Sequence, residues 1–150
     1  DAGIRVSFSL DTTAIAGSAD PFEAMRVAIG TENVRAADAR ALLPQRALEM
    51  ATIEGARTLG LGAVTGSLTP GKRADIVLVA TDRIGMTPVV DPYVAIVHSA
   101  RPSDVDTVLV DGRVVVAGGR LTVADEATII EDAESASVEL CRRAGVQRGG

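Results

Sequence analysis

The side chain best placed for chemistry is the carboxylate of Asp11, which closes the segment Arg5 to Asp11, RVSFSLD. Val6, Phe8 and Leu10 alternate there with Ser7 and Ser9, a period of two that predicts a strand with one apolar face. Taken alone, an aspartate at such a strand end accepts turn hydrogen bonds. A catalytic zinc ion takes about three protein ligands, and one carboxylate does not supply them. His98 is the single histidine; it follows Ile96 and Val97 in a run, Tyr93–Ser99, that reads as a strand, so it is expected at a sheet face or edge. Cys141 is the single cysteine, which excludes an internal disulfide and a cysteine-based zinc cluster. Ser7, Ser9, Ser67 and Ser99 have no Gly-x-Ser-x-Gly context. Gly60-Leu61-Gly62 follows a helix instead of a strand, the wrong order for a phosphate loop. Glu131, Asp132, Glu134 and Glu139 read as the solvated face of a last helix. Asp75 is expected to bond turn amides locally.

The elements around Asp11 follow from turn and cap chemistry. Thr12 to Ala19 is a loop of small residues. Asp20-Pro21-Phe22-Glu23 starts a helix, with Asp20 as N-cap and Pro21 at the first helical position. Phe22, Met25 and Ile29 share a face of that helix, and Gly30 is expected to close it. A short helical turn is expected near Ala36–Leu42. Pro44 opens a second helix, with Leu48, Ala51, Gly55 and Leu59 in one stripe and Gly60 and Gly62 at its end. Gly55 costs about 1 kcal/mol against alanine in a helix interior, which points to close packing. Thr69-Pro70-Gly71-Lys72 fits a type II turn that delivers a strand over Ala74–Ala80. Asp82–Pro92 is loop. Val105–Val110 and Arg113–Val116 flank Asp111-Gly112, a strong hairpin signal. Gly118-Gly119 turns the chain into Leu121–Val123, and Asp125 caps a closing helix with a stripe of Ile129, Ala133, Ala136 and Leu140. Arg142 and Arg143 complement its dipole, and the tail GVQRGG is expected to fray. The chain therefore divides near residue 60 into 1–60 and 61–150.

Hydrophobic residues make up 47% of the 150 positions, which is globular composition. A net charge of −5, with Phe8, Phe22 and Tyr93 the only aromatics, argues against nucleic acid as a partner. No apolar run approaches the ~20 residues that span a bilayer. The N-terminal DAGIRVSFSL has no basic region followed by a long apolar stretch, so a signal peptide is not expected; a reducing cytoplasm suits the one free cysteine. Lys72, the sole lysine, reads as compositional bias.

Three motifs in order carry a resemblance. ATIEGARTLGLGAVTGSLTPGKRADIVLV, at Ala51–Val79, resembles the C-terminal signature of the amidohydrolase superfamily. VDTVLVDGRVVVAGGRL resembles the hairpin these enzymes carry further on. SLDTTAIAGSADPFEAMRVA resembles the last barrel strand and following helix of the deaminase and chlorohydrolase branch. The resemblance implies an α/β fold, a metal-dependent (β/α)8 barrel with a small β-sandwich. Residues 1–60 would be the terminal portion of the barrel, its last strand and helices. Residues 61–150 would be the C-terminal portion of the sandwich with a closing helix. It also implies that Asp11 binds the catalytic metal, Zn²⁺ or Fe²⁺, and handles the proton of the water that attacks a C–N or C–Cl carbon. Ser-Leu-Asp-Thr-Thr stands where relatives often show Gly-Thr-Asp-Ser, which leaves the subgroup open.

One barrel strand cannot close a barrel. The resemblance thus implies a portion of a longer hydrolase, inactive and without bound metal by itself. Its partners would be a small heterocyclic substrate and the remainder of its own barrel, or further copies of itself. The alternatives are a non-catalytic α+β interaction or assembly module and a dipeptidase or imidazolone-type hydrolase. Mass spectrometry of the native product and the sequence preceding Asp1 separate these readings.

Overall fold

The computed structural model describes residues 3–10 and 17–146. The expected N-terminal strand is not formed by residues 3–10, which have no regular structure. A strand exists through the ladder it makes with a neighbour, and no described strand pairs with this segment. It is held instead by a bond from the Phe8 amide to the Met50 carbonyl, 3.2 Å, and by Phe8 packing on the core.

Helix α1, Pro21–Ala36, starts as its sequence dictates. The Asp20 carboxylate accepts from the Phe22 amide at 2.8 Å, and Pro21 sits in the first turn. Gly30 does not end it. The stop comes seven residues later, where Ala37 turns left-handed (φ 51) and its amide bonds the Asn33 and Val34 carbonyls. Asn33 secures that turn, donating to the Ala39 carbonyl at 3.0 Å and accepting from the Leu42 amide at 2.8 Å. The helical turn expected near Ala36–Leu42 is therefore the tail of α1 followed by a loop stapled by Asn33.

The second helix is two, α2 (Pro44–Ala51) and α3 (Ile53–Thr58), broken at Thr52. The Thr52 hydroxyl donates back to the Leu48 carbonyl at 2.7 Å, the back-bonding that bends helices. The break takes Leu59 out of the expected stripe; it is 75% exposed, whereas Ala47 is fully buried. Gly55 is not a close-packed position, since an added Cβ would meet only the Met50 carbonyl at 3.8 Å. The close approach lies at Gly66 (φ 86), where a Cβ would stand 2.6 Å from the Ala56 Cβ and 3.0 Å from the Ile53 Cα.

Past residue 60, strands β1 (Ile76–Val79), β2 (Val105–Val110), β3 (Arg113–Ala117) and β4 (Arg120–Leu121) form one antiparallel sheet in chain order. Gly71 takes φ 91 and the Lys72 amide bonds the Thr69 carbonyl at 3.2 Å, as the type II turn requires. Asp111 and Gly112 both have positive φ, 52 and 80, giving the type I′ hairpin. The expected strand Tyr93–Ser99 is helical instead: α4 (Pro92–Val94) runs into a π-helical turn, Ala95–Ser99. Asp91 caps it, accepting from the Tyr93 and Val94 amides, and Pro92 follows, repeating the arrangement of Asp20 and Pro21.

The core gathers Phe22, Met25 and Ile29 of α1, Ala47 of α2, Met86, Ala95 and Val97 of the π-helical turn, and Ala100 that caps it. Partly buried Val79 and Val105 carry it to the sheet. Helix α5, Glu126–Ala144, is capped by Asp125 as expected but buries no residue. Its expected stripe is open: Ile129 is 47% and Leu140 68% exposed. Of the tail expected to fray, Gly145 (φ 66) caps α5 and the Val146 amide bonds the Cys141 carbonyl at 3.0 Å, while residues 147–150 lie outside the described residues.

Candidate active-site groove

Asp11, the candidate metal ligand, lies outside the described residues, as does most of the loop after it. Leu10 and Ser18, on either side, both line an open groove of about 970 Å³ between residues 6–10, α1 and the start of α2. Val6, Phe8 and Leu10 form one wall; Ala24, Val27 and Ala28 of α1 form another. Polar and charged residues, Ser18, Asp20, Glu23, Glu32 and Arg46 among them, share the lining. The groove is an apolar trough that carries charged groups.

Two charge clusters hold its walls. Glu54 on α3 is 8% exposed and meets three guanidinium groups, Arg57 at 2.9 Å, Arg46 at 3.3 Å and Arg5 at 3.4 Å. Arg5 also donates to the Arg57 carbonyl at 3.1 Å, so the irregular segment is tied to α3 at its start and to Met50 at Phe8. Burial acts to raise the Glu54 pKa, but the hydrogen bonds from Arg46 and Arg57 outweigh it and hold the carboxyl below the ordinary glutamate range. A carboxyl that titrates lower folded than unfolded adds stability fully present above about pH 4.3, the unfolded value, and lost as pH falls through the folded value. Stability against denaturant is therefore expected to fall as pH drops below about 4.3, as the bonds from Arg46 and Arg57 to Glu54 are lost, and Glu54→Gln is expected to flatten that dependence.

The second cluster is centred on Arg26. It donates to the Ala100 carbonyl at 2.9 Å and the Val97 carbonyl at 3.4 Å, and pairs with Asp20 at 3.3 Å. Neither Glu54 nor Arg26 stood out in the sequence. The Glu54–Arg57 pair, three apart on a helix, is a readable signal; the partners of Arg26, 71 and 74 residues away, are not.

The other candidates disperse. His98 is exposed on the π-helical turn, not on a strand. Asp75 acts beyond its own turn: it accepts from the Thr65 hydroxyl at 2.7 Å and from the Asp111 amide at 2.7 Å, joining the loop before β1 to the β2–β3 hairpin. These two bonds, the Thr65 bond foremost, hold its pKa below the ordinary aspartate value. Lys72 has a structural task, its ammonium donating to the Gly62 and Thr65 carbonyls and the Ser67 hydroxyl. Glu131 and Asp132 are exposed on α5, and Glu139 pairs with Arg142 and Arg143. Among the described residues, no three of His, Cys, Asp and Glu are grouped so as to hold a metal ion, so these residues alone do not fit a catalytic metal. No described helix is long and apolar enough to cross a membrane.

A model of the amidohydrolase family matches residues 1–115. The chain is 41% identical over 138 residues to the 5'-deoxyadenosine deaminase of Methanothermobacter thermautotrophicus, covering 92% of this chain and 32% of that protein. It is 41% identical over 133 residues to the 5-methylthioadenosine/S-adenosylhomocysteine deaminase of Desulforudis audaxviator, covering 89% and 31%. It thus spans about a third of the length of these relatives. Among solved structures it superposes on a zinc-bound adenosine deaminase from Xanthomonas campestris with a TM-score of 0.86 at 28% identity, covering 88% of this chain and 30% of that one. For the zinc complex of atrazine chlorohydrolase from Arthrobacter aurescens the TM-score is 0.75 at 25% identity, covering 89% and 30%.

Proposed function

Since the chain belongs to the amidohydrolase family, in its deaminase and chlorohydrolase-like branch, we propose that the full-length protein is a metal-dependent deaminase of a purine nucleoside-like heterocycle. The observation that carries this reading is the 41% identity to a 5'-deoxyadenosine deaminase along 92% of the chain. Dechlorination is the second reading; it rests on the structural likeness to atrazine chlorohydrolase, at 25% identity, and ranks below the first for that reason.

In this reading residues 1–60 end the barrel and residues 61–150 are the C-terminal portion of the sandwich with α5. The apolar groove is the face against which the rest of the barrel closes: Val6, Phe8 and Val27 sit 53%, partly and 60% exposed where barrel neighbours would cover them. Asp11 is this portion's ligand to a Zn²⁺ or Fe²⁺ ion whose other ligands come from the preceding part. The ion would supply a water activated for attack near neutral pH. What the described residues do is hold Asp11's surroundings: Arg5, Phe8 and Glu54 fix the segment before it, and Asp20 fixes the helix after it. The test is a substrate panel on the full-length protein, read by release of ammonia or chloride and, for the imidazolone and the dipeptide, by ring opening and peptide cleavage. Ammonia from 5'-deoxyadenosine or 5-methylthioadenosine is the expected result. Turnover confined to a chlorotriazine, an imidazolone or a dipeptide overturns it, and no turnover of any substrate by metal-loaded protein favours the assembly-module reading.

A further inference from the structure

We propose that Arg26 is a positioning residue: its one guanidinium ties the Ser18–Asp20 lip of the groove to the carbonyl end of the π-helical turn at Val97–Ala100. The end of a helical segment leaves carbonyls without intrahelical partners. Here Val97 and Ala100 are both 0% exposed, so water does not reach those residues to replace a lost donor. Arg26 donates from one nitrogen to both carbonyls and from the other to Asp20. Its fork matches three acceptors that belong to two separate parts of the chain.

Asp20 is the other half of the device. One carboxylate oxygen meets Arg26 at 3.3 Å and the other takes the Phe22 amide at 2.8 Å, while the Asp20 amide donates to the Ser18 hydroxyl at 3.2 Å. The side chains of Arg26 and Asp20 are only 23% and 16% exposed, so the pair is screened less than a surface ion pair. The position of the groove's lip is therefore set by the second half of the chain, through a helix that belongs to the first. The consequence for turnover rests on reading Asp11 as the metal ligand.

The experiment uses the full-length protein with Arg26→Met, Arg26→Lys and, as a control on the exposed side of α1, Arg35→Met. Amide hydrogen exchange is read at residues 18–22, at 97–101 and in the β2–β3 hairpin, beside kcat and KM for 5'-deoxyadenosine. Arg26→Met is expected to speed exchange in the first two segments together, by 10-fold or more, with the hairpin unchanged. It is also expected to lower kcat 10-fold or more with KM within about twofold. Arg26→Lys, which keeps the charge and loses the fork, is expected to recover part of both, and Arg35→Met to change neither. Unchanged exchange at 18–22 in Arg26→Met overturns the proposal whatever the activity. Should Arg26→Met unfold the hairpin too, Arg26→Lys decides by the same comparison. Coupled exchange in a protein that deaminates nothing leaves the tie standing and removes the proposed function instead.

Discussion

Asp11→Asn in the full-length protein is expected to lower kcat/KM for 5'-deoxyadenosine by about 10²–10⁴-fold, the range for removing a positioned proton-transfer group. The substitution keeps the size and shape of the side chain and takes away its charge and its capacity to accept a proton. A carboxylate that only closes a turn tolerates this exchange, because the amide oxygen accepts the same hydrogen bonds. A metal ligand that also handles a proton does not. Metal content, measured by elemental analysis of the purified variant, is expected to fall with activity, and the unfolding midpoint of the metal-free protein to stay within a degree or two of the parent. Full activity in Asp11→Asn would remove Asp11 from the site.

Gly66→Ala is expected to be the most destabilising glycine-to-alanine exchange among the described residues. Two independent effects meet there. At φ 86 a side chain is strained by roughly 1–2 kcal/mol. The new Cβ would also stand 2.6 Å from the Ala56 Cβ and 3.0 Å from the Ile53 Cα, and overpacking a filled site costs about 1–3 kcal/mol more. The backbone of α3 must move, since neither neighbour is the tip of a flexible side chain. Gly71→Ala separates the two contributions: φ is 91 but nothing lies within 4 Å, so only the conformational cost remains. Denaturant unfolding of both variants is expected to give about 2–5 kcal/mol for Gly66→Ala and about 1–2 kcal/mol for Gly71→Ala. Equal losses would show that α3 yields without cost.

Much of this fold is written in local chemistry. Asp20-Pro21 and Asp111-Gly112 specify a helix start and a hairpin within four residues, and both form as read. Asp91-Pro92 carries the same cap and the same first-turn proline as Asp20-Pro21. The β-branched residues after it, Val94, Ile96 and Val97, read as a strand, yet the segment is helical because the cap is satisfied and Val97 is buried in the core with residues of α1 and α2. Gly30 shows the opposite failure: a glycine is permissive, not a command, and α1 runs on until Ala37 and Asn33 stop it. The alternation of RVSFSLD does not become a buried face, since Phe8 packs on the core while Val6 and Leu10 stay 53% and 37% exposed; a strand needs a neighbour, and none of the described segments provides one.

The candidate site is legible to a different degree. Its identifying signature, Ala51–Val79, performs support: Glu54 gathers three arginines, Gly66 admits α3, and Lys72 and Asp75 pin the loop and the hairpin. Of these contacts only the Glu54–Arg57 pair is visible in spacing, because Arg26 meets the Val97 and Ala100 carbonyls, Arg5 meets Glu54 and Asp75 meets the Asp111 amide across tens of residues. Asp11 is read by its resemblance to a motif alone; of the described residues on either side of it in sequence, Leu10 and Ser18 line the groove.

The most direct measurement is a crystal structure of the full-length, metal-loaded protein with anomalous data at the zinc and iron edges. The expected result is one ion with an Asp11 carboxylate oxygen about 2.0–2.2 Å away, histidines from the preceding part completing its shell, and barrel elements filling the groove between Phe8 and Val27. An ion bound without Asp11, or a groove still open to solvent, would contradict the account.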